Sequence, residues 1–282
     1  MTYRELYETG RAALEEAGTA EACLDARLLL EFICGTAHSD LLVHGDRSVD
    51  AEKEMRYRSL IAKRAAHIPL QHLTGEQEFM GLSFAVNGDV LIPRQDTEIL
   101  VEEVMRSISD GFRILDVCTG SGCIAISLVK LGEYRSVTAL DISKEALKVA
   151  EANRERILGE EKERLRLIKS DMFEGLEPKA QFDVIVSNPP YIPSEVIEGL
   201  EPEVRDHEPR LALDGEADGL KFYRILAERS MAYLKPGGKI YMEIGFDQGK
   251  DVSELFEQAG FEGLKVIKDM AGLNRVVQAK RP

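Results

Sequence analysis

Between Thr2 and Ala66 the apolar residues return at helical spacing: Leu6, Ala13, Leu14 and Ala17, then Leu24, Leu28, Leu29 and Phe32, later Met55, Leu60 and Ile61. This pattern predicts a small helical domain over residues 1–75. It carries no catalytic cluster, so its expected role is to dock a partner or brace the rest of the chain. At Phe79 the period changes to FMGLSFAVNGDVLI. Asn87-Gly88 between two β-rich runs predicts a β-hairpin linker over residues 76–92, because both residues tolerate positive φ. Pro93 stops the second strand, and Arg94 to Met105 reads as a helix opening a third segment, residues 93–282.

From Arg113 onward short β-branched runs (RILDV, SVTAL, LRLIK, FDVIVS, KIYMEI) alternate with helical stretches at Ile124–Leu131, Lys144–Ile157, Leu220–Leu234 and Val252–Ala259. Such alternation implies right-handed βαβ crossovers and a mostly parallel sheet covered on both faces. Leu264–Lys268 and Arg275–Ala279, parted only by a turn, are expected to pair as an antiparallel edge hairpin. The fold class is therefore α/β with a Rossmann-like sheet.

A length of 282 residues gives a prior of about two domains. With 36 basic and 50 acidic residues the net charge is −14, which disfavours direct nucleic-acid or anionic-membrane binding as the main mode of association. The longest apolar run, Cys123 to Val129, is too short to span a bilayer, and the N-terminus does not read as a leader, so a cytoplasmic protein is expected. The four cysteines form no C-x-x-C pair and the five histidines no H-x-x-x-H pair, so no metal site is expected.

Candidate chemistry begins where the first strand of the sheet ends. Cys118-Thr119-Gly120-Ser121-Gly122 forms a Gly-rich turn before an apolar helix, and Asp141 closes the next strand about 20 residues on. Two ligands fit this pattern. One is a dinucleotide, its pyrophosphate on the helix N-terminus; the other is S-adenosyl-L-methionine, its amino-acid portion over the loop. Asp141 would hold the adenosine ribose of either.

After FDVIVS comes Asn188-Pro189-Pro190-Tyr191, again at a strand's carboxyl end. Two prolines fix φ and remove two backbone donors, leaving a stiff segment that presents carbonyl oxygens. The Asn188 side-chain oxygen and the Pro189 carbonyl can accept both hydrogens of an NH2 group on an sp² carbon. Holding both hydrogens orients the nitrogen toward a sulfonium methyl, a contribution of up to about 7–11 kcal/mol in the best cases. Tyr191 is expected to stack on the planar group. A sulfonium is already a good leaving group, so the reaction requires no metal.

These segments resemble the peptide-chain release factor glutamine methyltransferase family (PrmC/HemK) along essentially the whole chain. The matching stretches are IPLQHLTGEQEFMGLSF, VLIPRQDTE, ILDVCTGSGCIAISL, FDVIVSNPPYIP, DGLKFYR and LKPGGKIYMEIG. The resemblance implies a helical N-terminal domain that recognises substrate, a hairpin linker and a seven-stranded class I methyltransferase domain. It also implies S-adenosyl-L-methionine as methyl donor and, as substrate, the glutamine of the Gly-Gly-Gln motif in class I release factors. By position, the cofactor loop falls on Cys118, Thr119, Gly120, Ser121 and Gly122, the ribose acid on Asp141, and the adenine-flanking position on Met172. Asn188, Pro189, Pro190 and Tyr191 form the catalytic and substrate-binding motif, with Asn188 touching cofactor as well. Cys118 stands where the family commonly has glycine, which implies a backbone that does not need positive φ there. Arg94, Thr97 and Glu98 are candidates for the cofactor's carboxylate end, and Phe79 for either the transfer pocket or the core.

NPPY is shared with amino-methyltransferases of DNA adenine and RNA guanine, so a nucleic-acid substrate is the first alternative. A nucleoside-binding Rossmann module or an NAD-dependent oxidoreductase is the second. One further feature is charge: residues 195–219 hold nine acidic and two basic residues, net −7, an expected acidic flap for a basic protein surface.

Overall fold

The computed structural model describes residues 1–107, 109, 111–132, 136–178 and 180–282. They form two compact units: residues 1–76 with 201–207, and residues 77–200 with 208–282.

The first unit is helical: α1 (Tyr3–Glu16), α2 (Ala22–Cys34), α3 (His38–Val43), α4 (Ala51–Ala65) and α5 (Leu70–Thr74). Thr2 and Glu5 close a capping box on α1, the Thr2 hydroxyl accepting from Glu5 N at 3.3 Å and Glu5 Oε2 accepting from Thr2 N at 2.9 Å. Leu6, Leu14, Leu29, Leu30 and Tyr57 fill the core, and the Tyr57 hydroxyl is satisfied by the Ala26 carbonyl at 3.1 Å. Buried Arg64 donates to Asp25 at 2.6 Å and also to Glu203 on a short helix, α10 (Pro202–His207). Burial raises the Asp25 pKa despite the Arg64 guanidinium.

The second unit opens with the hairpin β1 (Glu76–Phe79) and β2 (Leu82–Ala85). Its turn is Met80-Gly81, with φ of 53° and 71°, the two positive values that a tight primed turn requires. Asn87-Gly88, where the sequence placed the turn, instead forms an Asx-type loop in which Asn87 Oδ1 accepts from Asp89 N at 3.0 Å. The hairpin signal at Asn87 yields because Phe79 and Phe84 meet edge to face at 6.1 Å in the core, which fixes the register around Met80.

The sheet contains β3 (Arg113–Val117), β4 (Ser136–Asp141), β5 (Leu165–Lys169), β6 (Phe182–Ser187), β7 (Leu234–Glu243), β8 (Glu262–Lys268) and β9 (Asn274–Lys280), in the order β5-β4-β3-β6-β7-β9-β8. The first five strands in that order are parallel, and β9 pairs antiparallel with β7 and β8, so the expected edge hairpin is present. β7 begins at Leu234, five residues before the β-rich run, because Leu234 pairs with Phe182 across a register shift.

Helices α6 (Gln95–Ser107), α7 (Cys123–Leu131), α8 (Lys144–Leu158), α12 (Lys221–Tyr233) and α13 (Gly249–Gln258) cover the sheet. Alternate strand residues serve opposite layers: Ile114, Val184 and Val186 pack with α6 and α7, whereas Leu115, Ile185 and Val117 pack with α12 and α13. Three short helices, α9 (Ser194–Ile197), α10 and α11 (Arg210–Leu213), fall in the segment expected to be an acidic flap. Among the described residues no helix is long and apolar enough to cross a membrane.

Candidate active site

Strand order reverses between β3 and β6, and their carboxyl ends lie side by side there, tied by the Ser187 hydroxyl donating to the Val117 carbonyl at 2.7 Å. A cleft of about 280 Å³ opens over this point. It is lined by Cys118, Thr119, Gly120, Ser121, Asp141, Met172, Asn188 and Pro190 among the expected site residues. The residues that line it do not include Gly122, Pro189 or Tyr191.

The loop after β3 is built from left-handed backbone. Cys118, Gly120 and Gly122 have φ of 65°, 55° and 80°. The expectation for Cys118 is therefore corrected: the position keeps the conformation that glycine favours, and cysteine adopts it at a cost of about 1–2 kcal/mol. The turn is held by its neighbours. Thr119 N donates to Leu140 O at 2.9 Å, the Thr119 hydroxyl to Asp116 Oδ2 at 2.6 Å, and Gly120 N to Asp141 Oδ2 at 2.8 Å. A Cβ on Gly122 would lie 3.0 Å from Ile126 and 3.2 Å from Ala150, so the third position needs glycine for packing as well as for φ.

Asp141 also accepts from Ser143 N at 2.8 Å through Oδ1, so it braces the loop and the start of α8 together. Burial raises its pKa, opposed by these backbone donors. Each carboxylate oxygen retains a second lone pair for a ligand hydroxyl. Asp116, fully buried below the loop, is pushed up to about 7 by burial, with the Thr119 hydroxyl opposing and the Asp141 charge adding. Among the described residues its Oδ1 and the buried Ser121 Oγ have no partner in full hydrogen-bond geometry, although the Ala125 N–H acts on the Asp116 carboxyl and Ser121 acts on the Cys123 thiol. Met172, also at positive φ (46°), is fixed by the Ser170 hydroxyl donating to its carbonyl at 2.7 Å, and its sulfur lies 3.9 Å from Cys118 Sγ.

Asn188 follows β6 directly. Its Nδ2 donates to Thr97 Oγ1 on α6 at 3.3 Å, which leaves Oδ1 as an acceptor at the cleft that Asn188 lines. Pro189 and Pro190 are buried. Tyr191 differs from expectation. Its ring is absent from the cleft lining and packs on the α12 side of the sheet, and its hydroxyl donates to Glu243 Oε1 at 3.3 Å. The hydroxyl pKa is raised by burial and by the Glu243 charge. The residue anchors the motif.

The chain beyond Tyr191 is clamped closely. Gln248 Nε2 donates to the carbonyls of Tyr191 at 3.0 Å and Gly219 at 3.3 Å, and Gly215 N donates to Ile192 O at 2.8 Å. A Cβ on Gly219 would sit 2.3 Å from the Tyr191 carbonyl oxygen. Arg94, which lines the cleft, donates at 2.7 Å to both oxygens of the buried Glu208 carboxylate, seating Pro209, Leu211 and Ala212 at the cleft edge. Of the remaining candidates, Thr97 lines the cleft. Glu98 instead accepts from Met80 N at 2.6 Å, and Phe79 is core.

The sequence singled out neither Glu243, Gln248 nor Asp116. A lone acid at the carboxyl end of the apolar strand KIYMEI was the available signal for Glu243. No group of metal-ligating residues exists among the described residues.

Comparison with known proteins narrows what this cleft serves. The sequence matches two family models, the PrmC N-terminal domain over residues 5–75 and the methyltransferase small domain over residues 94–199. It is 41% identical over 276 residues to the release factor glutamine methyltransferase of Geobacter sulfurreducens, covering 98% of this chain and 95% of that one. With the release factor glutamine methyltransferase of Moorella thermoacetica it shares 40% over 284 residues, covering 100% and 99%. The chain belongs to the release factor glutamine methyltransferase family. Among solved structures, a methyltransferase from Pyrococcus furiosus shares the fold with a TM-score of 0.54 and 22% identity, covering 82% of this chain and 99% of that chain. In this member of the release factor glutamine methyltransferase family the residue after β3 is Cys118, and it takes a left-handed backbone with φ of 65°.

Proposed function

We propose that this methyltransferase moves a methyl group from S-adenosyl-L-methionine to the side-chain amide nitrogen, N5, of the glutamine in the Gly-Gly-Gln motif of class I release factors in the cytoplasm. The observation that carries this reading is one cleft lined jointly by the Cys118–Ser121 loop, Asp141, Met172 and Asn188. The residues suit the donor. Asp141 offers carboxylate lone pairs to ribose hydroxyls; Leu140, Ile142 and Met172 give an apolar flank for adenine; and Ser121, a buried hydroxyl beside the Cys123 thiol, lies where the methionyl end would be held. Bound there, the sulfonium would supply an electrophilic methyl carbon with a neutral thioether as leaving group, and the methylated amide nitrogen would release one of its two hydrogens to solvent as a proton.

The chain's own residues do the orienting. Asn188 Oδ1 and the Pro189 carbonyl accept the two amide hydrogens, and the proline pair keeps that acceptor geometry stiff. Thr97 and the Tyr191–Glu243 bond hold the motif from behind.

Residues 195–219 take part with less charge than the sequence suggested. Glu203, Glu208, Glu216 and Asp218 pair with Arg64, Arg94, Lys221 and Arg224, and Arg210 bridges Glu198 and Asp214. Counting those four outside cations, the net charge falls from −7 to −3, so steering of a basic surface is weak and salt-sensitive.

Release factor incubated with the protein and methyl-labelled donor is expected to gain one methyl group on the Gly-Gly-Gln glutamine, located by tandem mass spectrometry. Label on DNA or RNA with none on release factor would reverse the substrate assignment.

A further inference from the structure

Behind the cleft lies a buried carboxyl that the orientation scheme above does not use. Glu243, at the end of β7, is 2% exposed. Its Oε1 accepts from the Tyr191 hydroxyl at 3.3 Å, while Oε2 has no partner in full hydrogen-bond geometry. The Thr97 hydroxyl acts on the same carboxyl from α6, and Thr97 Oγ1 accepts from Asn188 Nδ2 at 3.3 Å. A threonine hydroxyl has a single proton. If that proton is directed at Glu243, Thr97 can only accept from Asn188; if it is released, Thr97 can donate to Asn188 Oδ1 instead, and the asparagine amide is free to turn over.

The geometry points to Glu243 as a positioning residue: its carboxylate captures the Thr97 proton, which forces Asn188 to turn Nδ2 toward α6 and Oδ1 toward the cleft. A turned-over Asn188 would present an NH2 group where a substrate amide needs an acceptor. The inference rests on the reading of Asn188 as the substrate-amide acceptor, yet the orientation of Asn188 is measurable with no substrate present.

The charged and titratable groups around Glu243 set when it is ionised. Thr97 and Asp96 face it from α6, Tyr191 from the loop after β6, Arg275 from β9 and Cys123 from α7, and the Tyr223 hydroxyl of α12 donates to its backbone carbonyl at 2.7 Å. Arg275 is shared with Asp96 at 2.9 Å and Asp269 at 3.0 Å. Burial therefore dominates and raises the Glu243 pKa to about 7, opposed by Thr97, Arg275 and Tyr191. Because the ionised form does the positioning, the ordered state of Asn188 is gained as pH rises through about 7 and lost below it.

The test follows the side-chain NH2 resonances of Asn188 in the full-length protein between pH 5 and 9, without substrate. The expected result is a titration with a midpoint near 7 in the wild type that is absent in Glu243→Gln. In parallel, Glu243→Gln and Thr97→Val are expected to lose about 10-fold or more in kcat with donor affinity held within about 3-fold, whereas Thr97→Ser retains turnover. Asn188 resonances that are unaffected by pH and by Glu243→Gln would overturn the assignment, as would wild-type turnover in both Glu243→Gln and Thr97→Val. If Glu243→Gln does not fold, the contrast between Thr97→Val and Thr97→Ser decides. A wild type that orders Asn188 as described but leaves release factor unmethylated would reject the substrate and keep the positioning role.

Discussion

Asn188→Ala is expected to lower turnover on release factor by about 10²-fold or more, with affinity for the methyl donor changed by no more than a few fold. The variant removes Oδ1, the side-chain acceptor at the cleft, but leaves the strand end, the prolines and the Tyr191 anchor in place. A planar amide held by the Pro189 carbonyl alone can pivot about that one hydrogen bond, so its nitrogen spends little time aligned with the methyl carbon. The loss therefore belongs to kcat. Steady-state kinetics paired with calorimetric titration of the donor separates the two quantities. Turnover within a few fold of wild type would remove Asn188 from the orientation step.

Asp141→Ala is expected to act on binding and on stability together. The substitution deprives Gly120 N and Ser143 N of their acceptors, and it takes away the carboxylate proposed to hold the ribose. Each buried donor left unpaired costs about 1–3 kcal/mol. The loop is the structure most exposed to this loss, because its left-handed residues are held in place from outside. The donor dissociation constant should rise by about 10- to 100-fold, accompanied by a lower melting temperature. Asp141→Asn keeps one accepting oxygen and should fall between the two. An Asp141→Ala protein with wild-type melting and wild-type donor affinity would contradict the role assigned to this carboxylate.

The architecture was legible because period and alternation are properties of the chain itself. The seven strands of the sheet and the antiparallel edge hairpin follow from apolar runs whose neighbours on both faces are helices. The positions of the cleft residues were legible for a related reason: ligand sites of open α/β sheets gather at strand carboxyl ends, where Cys118, Asp141 and Asn188 stand.

Local exceptions were harder to read. The hairpin turns at Met80-Gly81 although Asn87-Gly88 has the stronger local preference, because burial of Phe79 and Phe84 outweighs turn propensity. Cys118 takes a left-handed φ that its side chain disfavours, since Thr119 and Gly120 are fastened on the other side of it. Tyr191 looked like a stacking surface, whereas its hydroxyl finds Glu243, a partner 52 residues away. Long-range polar partners such as Glu243 and Gln248 leave no periodic trace, and only the folded arrangement shows them converging on the same tetrapeptide.

The orientation account is tested most directly by a crystal structure of the protein with the demethylated donor product and a Gly-Gly-Gln peptide. It predicts the glutamine amide nitrogen about 3 Å from both Asn188 Oδ1 and the Pro189 carbonyl oxygen, with the product sulfur on the open side of that nitrogen. A glutamine amide bound by other groups, with Asn188 Oδ1 turned away from it, would contradict the account.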